Sequence, residues 1–352
     1  HQNWAAERIL RSRQCAWGWV IALRWPHQDH IGVSTWCLLL TTYLGFQFQN
    51  TISTVIPVEI HVTDHHFIPR FYLKHFTKDK KIWTYDVNNN SYRSTKVDST
   101  AFEKYSYSAF LEDGRRNSDM EDVIAAIEDK ASSLYQKLLN GEKIIGQERA
   151  DLSSFFAIMY VRTDSFRRNY AQLALGSLQA LNYANATNDK AFESFIKEYE
   201  QERGSMSEKD KKLLREGMLN PEDFELSADK GWTLQAMGLH DELVPVFFKM
   251  EWNVFTLPPG QFLITGDTPL IKLIPTNKTH PFLGGGFSDS NVEVSFPLSP
   301  EKCWLGHWKR GLPNNLKMPK RFYRELNRLR AYYSERFLFA DRFSEWILKG
   351  LI

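Results

Sequence analysis

The hydrophobic pattern changes period twice along the chain, and this switch limits the possible folds more than any single motif does. Lys81-Ile82-Trp83-Thr84-Tyr85-Asp86 and Ser91-Tyr92-Arg93-Ser94-Thr95-Lys96-Val97 alternate apolar or aromatic with polar residues on either side of Val87-Asn88-Asn89-Asn90, the pattern of a β-hairpin. From about residue 118 to 250 the period becomes helical. Ser118 or Asn117 can cap a helix through Met120, Val123, Ile124, Ile127, Ala131 and Leu134, with Glu121 as a capping-box partner and Gly141 as its stop. A second helix is predicted from about Gln147 to Leu178, with Leu152, Phe155, Phe156, Met159 and Tyr160 on one face. Further helices are predicted at 188–203, 207–218 and 239–250. Strand patterns then return at Trp252–Leu257, Phe262–Thr265, Leu270–Ile274, Val292–Phe296 and Lys302–Gly306, separated by Pro and Gly turns. A basic helix at about 318–333, a short strand at Phe337–Phe339 and a closing helix complete the reading. Segregated blocks predict an α+β fold: an N-terminal hairpin, a central helical block, and C-terminal antiparallel strands with closing helices.

The 352 residues are enough for a full core, and 43% hydrophobic and 14% aromatic content are globular values. A net charge of +2 argues against a general nucleic-acid binder. Cys15, Cys37 and Cys303 form no C-x-x-C pair and are too scattered for a disulfide framework, which implies a reducing, cytoplasmic setting without structural zinc.

The first sixty residues stand apart. Trp4, Trp17, Trp19, Trp25 and Trp36 crowd them, and Ile31 to Pro57 carries no charged side chain. Ser, Thr, Gln and Asn dilute that run, whereas a membrane-spanning helix needs about 20 predominantly apolar residues. No methionine precedes Met120, and Val62 lies three residues before His65. Initiation at Val62 would make residues 1–61 a non-native leader and leave 62–352 as a single α+β domain.

Asp64-His65-His66-Phe67-Ile68-Pro69-Arg70-Phe71-Tyr72-Leu73-Lys74-His75-Phe76 combines two imidazoles and a carboxylate with a proline-punctuated aromatic run. Such groups can bind a metal or move a proton near pH 7. The string resembles the opening signature of a bacterial family of unknown function. Phe156-Ala157-Ile158-Met159-Tyr160-Val161-Arg162-Thr163 resembles that family's central helix, Phe262-Leu263-Ile264-Thr265-Gly266-Asp267-Thr268-Pro269 its strand-and-turn motif, and Phe296-Pro297-Leu298-Ser299-Pro300 a further strand end. The resemblance covers about 62 to 345 and places His65, His66, Arg162 and Asp267 in family motifs. The whole chain also resembles metagenome-derived, calcium-dependent hydrolases of N-acyl-homoserine lactones.

Each candidate residue has a structural alternative. Neighbouring side chains on an extended segment point to opposite faces, so His65 and His66 would not share one metal, and one of them is expected to face a pocket. Arg162 can hold a substrate oxygen by a bidentate fork or pair with an acid such as Asp164 or Asp267. Asp267, at a strand end followed by Thr268 and Pro269, suits a catalytic acid or base and equally an Asx-turn. Asp86, Asn88 and Asn90 have the D-x-N-x-N spacing of a calcium loop, but Ser91 replaces the expected glycine and Val97 the closing Glu. Trp25-Pro26-His27-Gln28-Asp29-His30 matches only half of the H-x-H-x-D-H metal signature. No G-x-S-x-G elbow occurs, since Gly286-Phe287-Ser288-Asp289 ends on Ser290, and Gly284-Gly285-Gly286 is no P-loop. Lys317, Lys320, Arg321, Arg324, Arg328 and Arg330 make one face of the 318–333 helix basic, either a solvated face or a phosphate contact.

These features lead to the expectation of a hydrolase acting on a small-molecule, ester-like substrate. His65 or His66 and Asp267 would be catalytic, Arg162 and Thr268 would bind substrate, and Ca²⁺ would be held by Asp86, Asn88 and Asn90. The alternative is a non-catalytic binding or nucleic-acid-processing module using Arg162 and the 318–333 helix. Membrane association is not expected.

Overall fold

A computed structural model describes residues 64–104, 109–110, 116–117, 119–220, 236–274, 286–312 and 316–349. The expectations for residues 1–61, including Trp25–His30, and for the Ser118 cap and Gly284-Gly285 fall outside the described residues.

Strand β1 (Asp64–His66) leads into a one-turn helix α1 (Arg70–Lys74), which Pro69 starts with its fixed φ of −58° and which buries Tyr72 and Leu73. The expected hairpin follows as β2 (Ile82–Asp86) and β3 (Ser91–Thr95), paired from Ile82↔Thr95 to Asp86↔Ser91. β4 (Phe102–Lys104) pairs antiparallel with β1, and β5 (Ala109–Phe110) pairs with β6 (Arg116–Asn117). The helical block comprises α2 (Asp119–Leu139), α3 (Gly146–Val161), α4 (Asp164–Thr187), α5 (Asp189–Arg203), α6 (Glu208–Leu219) and α7 (His240–Lys249). Gly141, at φ +67°, ends α2 as expected, its N–H donating to Leu138 O while that of Glu142 donates to Lys137 O.

The remaining elements are β7 (Glu251–Thr256), β8 (Thr265–Gly266), β9 (Ile271–Leu273), β10 (Glu293–Ser299), β11 (Lys302–His307), β12 (Leu316–Lys317), α8 (Lys320–Tyr333), β13 (Phe337–Ala340) and α9 (Glu345–Lys349). They form a mixed α+β fold with two main sheets. The larger runs β12-β7-β11-β10-β9, and the smaller runs β3-β2-β13-β8. The C-terminal strands are thus divided: β8 and β13 join the N-terminal hairpin, with Phe337↔Asp86 and Leu338↔Gly266 in register.

The larger sheet is covered on both faces, and side-chain alternation sorts its residues. Val254, Val294, Phe296 and Trp304 enter the main core with Leu152, Phe155 and Phe156 of α3. Phe255, Cys303 and Leu305 face Tyr323 and Leu326 of α8 instead. Phe156 stacks on Trp304 at 4.0 Å between centroids. A small separate core joins Ala186, Phe195, Ile196, Leu214 and Met218 at the far end of the helical block.

Two expectations need correction. The helix predicted over 147–178 is interrupted: α3 ends at Val161 and α4 begins at Asp164. Thr163 makes the break at φ −65°, ψ 143°, its hydroxyl donating to Tyr160 O at 2.9 Å and accepting from Phe166 N–H at 3.4 Å. The strand predicted over 262–265 reduces to Thr265-Gly266, because other groups satisfy the preceding backbone. The Asn327 side chain accepts from Ile264 N–H at 3.0 Å and donates to Phe262 O at 2.9 Å, and Leu263 N–H reaches Pro300 O at 2.8 Å.

On α8, Arg321, Arg324 and Arg328 are exposed above buried Tyr323 and Leu326, but Arg330 turns inward and is fully buried. Its guanidinium reaches Ser295 Oγ at 3.3 Å and Leu326 O at 3.4 Å. No helix among the described residues is long and apolar enough to cross a membrane. Cys303 is fully buried, and burial pushes its thiol up to about 11, so it is an inert core thiol.

Candidate functional site

The interruption at Thr163 creates the site. Had α3 run on through residue 163, Arg162, Thr163 and Asp164 would occupy one more helical turn. The break instead turns the first residues of α4 toward the end of β8 and the segment entering β13. A cavity of about 470 Å³ lies there, lined by Arg162, Thr163, Asp164, Arg167 and Arg168 from the break, by Asp267 and Thr268 after β8, and by Glu335, Arg336 and Phe337 before β13. Phe67 and Asn88 complete its wall. Four sequence candidates, Asn88, Arg162, Asp267 and Thr268, therefore line one cavity although they come from distant segments. β1 brings the chain to this wall at Phe67, whose ring stacks on Phe337 at 6.2 Å. The side chains of His65 and His66 lie outside the described residues.

Arg162 is only 2% exposed and pairs with Glu128 of α2 at 2.6 Å. Glu128 is an acid that the sequence did not suggest as its partner. Arg167 and Arg168 pair with Asp164 at 3.3 and 3.5 Å, Arg168 also closes on Glu335, and Arg336 pairs with Asp86 at 3.1 Å. Four guanidinium groups (Arg162, Arg167, Arg168, Arg336) and three carboxyl groups (Asp164, Asp267, Glu335) line the cleft, and Glu128 and Asp86 pair with Arg162 and Arg336 from outside the lining, which brings the carboxyl groups to five. The cleft is rich in hydrogen-bond donors without an excess of positive charge.

Asp267 is held by the backbone. Its Oδ1 accepts from Glu335 N–H at 3.0 Å, and its Oδ2 accepts from Arg336 N–H at 2.7 Å and Phe337 N–H at 2.8 Å. Burial pushes its carboxyl above the usual range, against the opposing effect of these amide donors. The geometry suits an anchor that joins the ends of β8 and β13, the Asx-type alternative weighed from sequence. Gly266 permits the close approach: a Cβ there would lie 2.9 Å from Phe337 O and collide with Ser334 Oγ.

Asp86 ties the hairpin turn. Its oxygens accept from Asn89 N–H at 3.2 Å, Asn89 Nδ2 at 2.8 Å and Arg336 Nε at 3.1 Å. Asn90 sits at φ +45° in that turn, and Asn88 faces the cleft. A lone carboxylate already paired with an arginine is a poor donor set for Ca²⁺, which takes six to eight oxygens. Among the described residues no three His, Cys, Asp or Glu side chains gather as a metal site.

A second cavity of about 370 Å³ adjoins the first and shares Thr163 and Thr268 with it. Its walls are largely apolar and aromatic, with Tyr160, Phe166, Tyr170, Leu239, Leu270 and Tyr333 among them. Sequence reasoning did not single out Arg167, Arg168, Glu335, Arg336 or this aromatic wall. The one available signal was Thr163-Asp164, a capping residue followed by an acid, inside a run read as continuous helix.

A Ser–His–Asp contact was also missed. His240 Nε2 lies 2.9 Å from Ser154 Oγ, and its Nδ1 lies 3.0 Å from Asp241 Oδ1. Ser154 sits mid-helix in α3, where no backbone N–H is available for an oxyanion, and Nε2 also meets Ser154 O at 3.2 Å. Neither Ser154 nor His240 lines the two cavities. The contact fastens α7 to α3.

Fold and cleft together define an α+β protein with a two-compartment cavity at an interrupted central helix. The chain belongs to the family described as protein of unknown function (DUF4238), which it matches over residues 64–343. No curated protein and no solved structure is detectably similar to it.

Proposed function

We propose that the chain is a hydrolase that opens the lactone ring of N-acyl-homoserine lactones in the cleft at Thr163. The observation that carries this reading is a donor-rich but charge-balanced compartment in which Arg162 and Thr268 stand together. A neutral head bearing ester and amide carbonyls needs donors and no net positive charge, whereas a phosphate needs the excess of cations this cleft lacks.

In the proposed reaction, His65 or His66, on the strand that reaches the cleft at Phe67, takes a proton from water as the water attacks the ring carbonyl carbon. Arg162 and the Thr268 hydroxyl donate to the developing oxyanion. The ring C–O bond then breaks, the ring oxygen leaves as an alcohol carrying a proton, and the new carboxylic acid ionises. Asp267 holds the cleft wall in place.

Each ring opened releases one proton, so a pH-indicator assay reads the reaction directly. Wild type should release protons from N-decanoyl-homoserine lactone, and His65→Ala or His66→Ala should reduce the rate about 100-fold or more. An EDTA-treated sample, with and without added Ca²⁺, tests the cation. Background rates in all samples would end the hydrolase reading.

A further inference from the structure

We infer that the aromatic trough beside the charged cleft is a subsite for a linear acyl chain. The identity of the head group rests on the lactone reading; the trough's preference for a straight apolar tail has its own grounds. Phe166, Tyr170 and Leu173 recur at i, i+4 and i+7 on α4, a stripe of about 10 Å along one wall. Leu270 and Ile271, 1% and 2% exposed, add apolar lining from the start of β9. Leu173 at 71% and Tyr333 at 46% exposure leave large apolar side chains in water beside the cavity. Isolated exposed apolar residues are ordinary, but these two border an apolar cavity that continues into a polar one.

The second ground is placement. Thr163 and Thr268 belong to both compartments, so a molecule with its carbonyl head among the arginines has its tail directed along the stripe. Lys272 carries its ammonium over the Phe287 ring at 5.4 Å, and its methylene stem is the part suited to an apolar wall. The combination is that of an amphiphile site: oxygen-rich at one end and alkyl-lined at the other.

The test uses lactam analogues of the N-acyl-homoserine lactones, from butanoyl to dodecanoyl, whose ring amide is not opened, titrated calorimetrically into the full chain. Affinity should rise about two- to fourfold per methylene and level off once the tail outruns the stripe. Asn169→Trp, at an exposed position bordering the trough, and Ser165→Phe should each flatten this dependence while leaving the butanoyl compound within about twofold. Affinity independent of tail length, no binding by any lactam, or a length dependence untouched by both variants overturns the inference. Length-dependent binding without lactone opening would remove the hydrolase reading and keep the subsite. Lactone opening at rates independent of tail length would do the reverse.

Discussion

Replacing Asp267 with Asn separates an anchoring carboxylate from a proton-accepting one. The carboxylate accepts three backbone N–H groups, at 2.7, 2.8 and 3.0 Å. An amide offers one oxygen. In its better orientation Asn keeps the bonds from Arg336 and Phe337 and turns its NH₂ toward the N–H of Glu335, a donor facing a donor. Loss of one charge-assisted bond costs about 1.5–3 kcal/mol. Burial disfavours the charged carboxylate, so a neutral amide recovers part of that loss, for a net destabilisation of about 1–3 kcal/mol. Urea unfolding at pH 7 should show a lower midpoint with an unchanged slope, and hydrogen exchange at Glu335, Arg336 and Phe337 should quicken. An unchanged midpoint and unchanged exchange, with hydrolysis abolished, would refute the anchor and make Asp267 the proton acceptor.

Gly266→Ala should destabilise by about 1–3 kcal/mol, because its Cβ meets the Phe337 carbonyl at 2.9 Å and the backbone must move; a thermal scan showing no loss would contradict that packing. Gly176→Ala, in the middle of α4 with nothing within 4 Å of the new methyl, should instead stabilise by about 0.5–1 kcal/mol in the same scan. Removing Glu128 leaves the buried Arg162 without its 2.6 Å partner, but water reaches Glu128, so Glu128→Ala should cost about 2 kcal/mol and couple to Arg162→Met in a double-mutant cycle. Burial holds His307 below its usual pKa, and its two nitrogens meet Asn253 Oδ1 at 2.6 Å and the Lys309 N–H at 3.2 Å, an arrangement that only the neutral ring satisfies. The unfolded chain therefore binds more protons than the folded one below about pH 6.5, so stability should fall as pH drops through that value. His75, lowered by burial, acts in the same sense, and His307→Gln should flatten the slope without abolishing it.

Local pattern was enough for the elements whose stabilising contacts are local. The hairpin around Asn88-Asn89-Asn90 and the stop at Gly141 lie within a few residues of what they control, as do the helix starts predicted at 188 and 207, which the structure shows capped by Asn188 and Ser207. It failed where a distant group settles the backbone. Asn327 satisfies Phe262 and Ile264 from more than sixty residues away, so an apolar run that reads as strand enters one only at its last residue, Thr265. Arg330 reads as one more cation on a basic face, yet it is buried against Ser295 of β10. The site was legible in part: motif resemblance picked out His65, His66, Arg162 and Asp267, and the fold brings Arg162 and Asp267 to one cavity together with Thr268, the other expected substrate-binding residue. Its companions could not be read, because Glu335 and Arg336 reach the cleft only once β13 lies beside β8 and β2. The break at Thr163 was written in the sequence, but periodic apolar residues on both sides concealed it.

The most direct test of a single two-compartment site is a crystal structure of the chain with the decanoyl lactam bound. The account predicts the ring among Arg162, Thr163 and Thr268, with the alkyl tail along Phe166, Tyr170 and Leu173. A lactam bound elsewhere, or one whose tail leaves the trough for solvent while the ring occupies the cleft, would contradict it.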